Sequence, residues 1–134
     1  MVVISFSIFK DKIESGEKDQ TIRPYSPIRY KQLKSAKIYH LWWHNPRNHG
    51  TPIFEVLPLE PPFLISFNKS LYYPNIDRIG RSKEHIDLTA FARRDGFASS
   101  QEMFDWLEEN YGNELYRKRF IVVRWIPPTN LNNL

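Results

Sequence analysis

The chain has 134 residues, no cysteine, 41% hydrophobic and 25% charged residues, and a formal net charge of +4. That length and composition suit one globular domain, 1–134, with a core of its own. The lack of cysteine excludes a disulfide framework, a thiolate nucleophile and a cysteine-ligated zinc site. The same absence of cysteine fits a cytoplasmic location, and no apolar run approaches the roughly 18 residues of a membrane helix, so no membrane partner is expected.

Val2 to Phe9 is rich in β-formers and reads as a first strand. No basic segment precedes it and no small-residue cleavage site follows, so it does not read as a signal peptide. Lys10 to Ser15 reads as a short helix, with Gly16 as the left-handed residue that ends it. Thr21 to Arg23 is expected to be extended, because Pro24 disfavours the helical region at Arg23. Ser26 is placed to N-cap a helix from Pro27 to Ala36, with proline at its first position. Lys37 to Trp43 (KIYHLWW) is dense in β-formers and reads as a strand.

Asn45 to Thr51 (NPRNHGT) has the composition of a turn. Pro52 to Leu57 and Phe63 to Phe67 read as short strands separated by LPLEPP, whose prolines point to edges or bulges. Asn68 to Glu84 reads as an irregular surface loop. A helix is expected from about Asp87 to Asp95, ending at Gly96. A second opens on the capping box Ser99-Ser100-Gln101-Glu102 and ends at Gly112. In it Phe104, Leu107 and Tyr111 fall on one face, with Met103 and Trp106 beside them, which is a core-facing stripe. Arg119 to Ile126 reads as the last strand, closed by Pro127 and Pro128, and the polar tail TNLNNL is expected to fray. The order suits an α+β domain whose small, mostly antiparallel sheet curls into a β-barrel with flanking helices.

Charge is unevenly spread. From Gln20 to Phe54 there is no Asp or Glu, while Arg23, Arg29, Lys31, Lys34, Lys37 and Arg47 all lie there. An acid-free basic segment favours phosphate-bearing partners; the plainer alternative is a solvated face with acids packed opposite in space. His40 and His44 lie about 13 Å apart if the segment is a strand, too far to share an ion, so no metal and no other cofactor is expected. No protein partner is evident.

Within GEKDQTIRP, Thr21 and Arg23 share a strand face, and Lys18 lies in the turn just before. A cation, a hydroxyl and a guanidinium converging there would make an anion or carbonyl pocket; otherwise Gly16 caps a helix, Lys18 is solvated and Arg23 pairs with a surface acid. Asp95 adds weight to the pocket. It falls on the face of Leu88, Phe91 and Ala92, hence inward, and at a helix C-terminus where the macrodipole disfavours a carboxylate. Such an acid needs a cationic partner or a chemical role.

GEKDQTIRP together with ARRDGFASSQEMFDWLEENYG resembles the ASCH domain, a relative of the PUA domain. The resemblance rests on the G-x-K-x-x-T-x-R signature (Gly16, Lys18, Thr21, Arg23), the Asp95-Gly96-Phe97 turn and Tyr111-Gly112. It covers most of the chain, least from about Pro58 to Arg81, which would be an insertion. It implies a PUA-like β-barrel with the signature lining a cleft that binds RNA or a modified nucleoside or nucleotide. One branch of the family hydrolyses N4-acetylcytidine, and by motif its lysine and threonine fall on Lys18 and Thr21. Its glutamate falls on Asp95, one methylene shorter. Some relatives are linked to RNA cleavage.

In a binder, Gly16, Arg23, Arg29, Lys31 and Lys34 would contact the ligand or its phosphates, and Trp43 would stack on a base. In an amidohydrolase, Thr21 would be the nucleophile, Lys18 its base and Asp95 the orienting acid. Lys18 could instead be an oxyanion donor, with Asp95 activating water. A purely structural adaptor would leave the polar cluster unexplained.

Overall fold

The computed structural model describes residues 1–69, 74–80 and 86–128. Its first half alternates short strands and helices: β1 (Val2–Phe6), α1 (Lys10–Ser15), β2 (Gln20–Pro24), α2 (Pro27–Ser35), β3 (Tyr39–Trp43) and β4 (Thr51–Val56). Then follow β5 (Phe63–Lys69), β6 (Pro74–Arg78), α3 (Leu88–Arg94), α4 (Ser100–Tyr111) and β7 (Arg119–Arg124). The helix boundaries follow local chemistry. Ser26 accepts the Arg29 N–H at the start of α2, Asp87 accepts those of Thr89 and Ala90 at α3, and Ser99 accepts that of Glu102 at α4.

The expected barrel does not close. The described strands form two open sheets, one ordered β1-β3-β4 and the other β2-β7-β5-β6. The second is wholly antiparallel; in the first, β1 runs parallel to β3. On one flank the chain after β4 reaches β7, where Leu59 donates to Arg124 O, Ile126 donates to Leu57 O, and Pro58 bridges Trp125. Pro58, Pro61 and Pro62 have no N–H with which to extend that ladder. On the other flank β1 and β2 do not pair. Arg23 Nη2 donates to Ser5 O at 2.7 Å and Arg29 Nη2 to Val3 O at 2.5 Å. Guanidinium groups thus occupy the edge of β1 that a neighbouring strand would otherwise pair.

Two further expectations change. β4 is an edge strand as its prolines suggested, but β5 lies inside its sheet. The prolines precede β5 and leave its ladder N–H groups intact. Part of the expected loop after Asn68 is strand β6, with Pro74 at its first position, where a missing N–H is tolerated; residues 70–73 and 81–84 of that loop, and the polar tail from residue 129, lie outside the described residues. Within the stretch from about Pro58 to Arg81, Phe63, Ile65, Phe67 and Ile76 are buried in the core.

β7 organises two cores by simple alternation. Phe120 and Val122 face a core built with Phe91, Met103, Phe104 and Leu107 of α3 and α4. Ile121, Val123 and Trp125 face a second core with Ile4, Phe6, Tyr39 and Leu41 of the smaller sheet. β2 pairs with β7 so that Thr21 lies opposite Val123, which turns Thr21 and Arg23 toward the gap between the sheets. Between α3 and α4, Gly96 has φ +103, and a Cβ there would stand 2.7 Å from the Phe9 ring.

Gly96→Ala therefore meets both an unfavourable backbone region and a ring, and should destabilise by about 1–3 kcal/mol in urea unfolding. Gly80 has φ +89 but nothing within 4 Å of such a Cβ, so Gly80→Ala should cost less; equal losses would show that the Phe9 contact contributes nothing.

Candidate functional site

The unpaired seam between β1 and β2 opens into a cleft of about 100 Å³. Ser5, Phe6, Ser7 and Ile8 line one side and Thr21, Ile22 and Arg23 another. Lys18 and Asp95 join them from below, and Phe97, Trp106, Leu107 and Tyr111 close the wall. This volume is well under the roughly 300–1,000 Å³ of pockets for drug-sized ligands. It suits one small ring or the end of a larger molecule.

Lys18, Thr21 and Asp95 are 3%, 5% and 7% exposed. Lys18 arrives there because the chain turns at Gly16 and the Lys18 N–H donates to Lys12 O. Its Nζ donates to Gln20 O at 2.7 Å and to Asp95 O at 2.5 Å, and lies 3.5 Å from Asp95 Oδ2. One ammonium therefore serves a helix-end carbonyl and the carboxylate of the same residue. This answers the helix-end problem posed by Asp95, since a cation belongs at a helix C-terminus. Lys12 Nζ adds a bond to Gly96 O at 2.5 Å. The end of α3 is held near β2 by the Asp19 N–H donating to Arg94 O at 2.9 Å and by Gln20 Nε2 donating to Phe91 O at 3.3 Å.

Burial pushes Lys18 down from 10.5 to about 8, with Arg23 adding to the fall and Asp95 opposing it. Burial likewise raises the Asp95 carboxyl, against the pull of Lys18, Gln20 and Arg23. Arg23 Nε donates to Thr21 Oγ1 at 3.1 Å, which leaves the hydroxyl proton for another acceptor. Arg23 also lies 4.9 Å from the Phe6 ring centroid, and Lys18 lies 5.6 Å from it, so the cations sit over an aromatic face. A cleft of this kind can donate to an anionic or carbonyl oxygen, and its lysine can exchange a proton near neutral pH.

The structure brings together Lys18, Thr21, Arg23 and Asp95 and leaves the other expected contacts outside the cleft. Gly16 shapes the turn, with φ 85. Arg29 is half-buried, donating to Val3 O and Gln32. Lys31 and Lys34 line a separate surface groove on α2, where Lys34 sits over the Tyr30 ring. Trp43 packs on the second core and against His44, beside Phe9 and Lys12.

Sequence reasoning missed Gln20, which is fully buried and donates Nε2 to Asp95 Oδ1 at 3.3 Å. Strand alternation held the signal, because it sets Gln20 beside Ile22 on an inward face. Trp106 and Tyr111, read as core, are half-buried on the cleft wall. No family model, curated protein or solved structure matches the chain.

A depressed lysine pKa has a thermodynamic consequence. Between about pH 8 and 10.5 the unfolded chain holds a proton that folded Lys18 has released, so stability rises with pH across that window. Tyr39 and Tyr116, both pushed up to about 12, act in the opposite sense only above pH 10 or so. From pH 8 to 10 the wild type should gain roughly 2 kcal/mol relative to Lys18→Met in denaturant titrations. Parallel curves for the two proteins would place Lys18 at an ordinary pKa.

Proposed function

We propose that the seam cleft holds a single nucleoside or modified base, free or presented by an RNA segment. The observation that carries this reading is the set of buried Lys18 and Thr21 and half-buried Arg23, lining one small hollow with Phe6, Phe97, Trp106 and Tyr111. The Thr21 hydroxyl and the Arg23 guanidinium match ring carbonyls, and aromatic walls match the faces of a base. The resemblance to the ASCH domain supports the same ligand class. A long phosphate track is less favoured, because Arg29 is already bonded to Val3 O and Lys31 and Lys34 line a different groove.

Hydrolysis of an exocyclic amide, as in N4-acetylcytidine, is the second reading, and the lowered Lys18 pKa favours it. The free amine would take the Thr21 proton as Oγ1 attacks the acyl carbon. The resulting ammonium would return that proton to the departing amine, and water would release the acyl group from Thr21. Arg23 would face the developing oxyanion. In the alternative division of labour, charged Lys18 donates to the oxyanion and Asp95 activates water.

Titration of the protein with cytidine and N4-acetylcytidine should quench tryptophan fluorescence saturably, and Trp106→Phe should remove most of the signal. Failure of both nucleosides and of short RNA to bind at low salt would defeat the binding reading. Cytidine should appear when N4-acetylcytidine is incubated with wild type and not with Lys18→Ala. If Lys18 is the base, the rate rises with pH through about 8; if it is the oxyanion donor, the rate falls there instead.

A further inference from the structure

Behind the cleft, on the far side of Asp95, a polar chain runs from buried Gln20 to half-buried Arg124 and Glu60, and the proposed chemistry does not use it. Gln20 begins β2 and sits opposite Arg124 of β7. Arg124 Nε donates to Gln20 Oε1 at 2.9 Å, and its Nη1 lies 3.3 Å from Glu60 Oε1. Gln20 Nε2 donates to Asp95 Oδ1 and to Phe91 O, each at 3.3 Å. Arg124 is held in place by Glu60 and by the Phe63 ring, whose centroid is 5.0 Å away.

These contacts fix an orientation. A guanidinium has no acceptor, so the amide oxygen of Gln20 must face Arg124 and its NH₂ must face Asp95. Asp95 Oδ1 then receives a donor and has no need of a proton of its own. Any proton exchanged between Asp95 and Lys18 is confined to the Oδ2 side, 3.5 Å from Nζ. From this geometry we infer that Gln20 is a positioning residue for the cleft: oriented by Arg124, it keeps Asp95 an acceptor and so sets the proton occupancy of Lys18.

The inference rests on the reading of the cleft as the functional site. The other titratable groups facing the pair are Arg23 and Asp19 toward Lys18, and Arg23 and Tyr111 toward Asp95. Asp19 is itself held by Arg94 through Nε at 3.0 Å and Nη2 at 3.1 Å. Gln20 differs from these groups in that it does not titrate. Its influence must act through a hydrogen bond to Asp95, not through a field at Lys18.

The test follows the Lys18 side-chain resonance by NMR in lysine-labelled protein as pH is varied. In Gln20→Met, Asp95 loses its donor, its charged form is less supported, and Lys18 loses part of its counter-charge. The Lys18 midpoint should fall below the wild-type value by about one pH unit. Gln20→Glu keeps the shape and either adds a second carboxylate or, when protonated, restores a neutral donor to Oδ1. Its midpoint should stand at or above wild type. An unshifted Gln20→Met, or a Gln20→Glu midpoint below wild type, would overturn the inference; the second result decides even if Gln20→Met does not fold. The same samples are titrated with N4-acetylcytidine. Midpoints that move as expected while no sample binds nucleoside would leave the positioning role standing and remove the proposed ligand.

Discussion

The fold and its cleft both depend on one buried ammonium. Lys18 Nζ ties the end of α3 to the start of β2 through Asp95 O and Gln20 O, and stands beside the Asp95 carboxylate. Taking a cation and a carboxylate out of water costs several kcal/mol per ion before any attraction is counted. A purely structural helix stop could be made from a glycine and solvent. This one ends on an ion pair inside a cleft, and the lowered lysine pKa records the strain of that burial.

The cleft exists because two sheets fail to become one. Strands β1 and β2 face each other across a seam where arginine side chains, not a backbone ladder, cover the β1 carbonyls. A closed ladder there would fill the space now lined by Ser5, Phe6, Thr21 and Arg23. Arg23 therefore has two structural duties, bonding to Ser5 O and to Thr21 Oγ1, alongside any ligand contact. Replacing it would disturb the seam and the Thr21 hydroxyl together, which makes it a poor probe of chemistry.

Much of this was legible locally. Gly16, Ser26 and Ser99 mark helix ends by backbone chemistry that needs no tertiary context, and those ends lie where expected. The inward face of α3 was readable from helical period, and Asp95 is buried on it. What eluded sequence reasoning depends on distant partners. The parallel pairing of β1 with β3 spans α1, β2 and α2 and leaves no local mark. Strand β6 was hidden by Pro74 and by polar neighbours, since its pairing comes from β5. Gln20 looked like an ordinary polar residue in a strand, and its importance appears only once Arg124 and Asp95 flank its amide. The same holds for Arg29, whose charge suggested a phosphate contact until its carbonyl partner on β1 was visible.

The decisive measurement is a side-chain NMR map of the lysines and indoles as N4-acetylcytidine is added. A ligand in the seam should shift Lys18 and the Trp106 indole together and leave Lys31 and Lys34 of the α2 groove where they were. Shifts confined to Lys31 and Lys34, with Lys18 unmoved at saturation, would contradict the account and move the binding surface to the other groove.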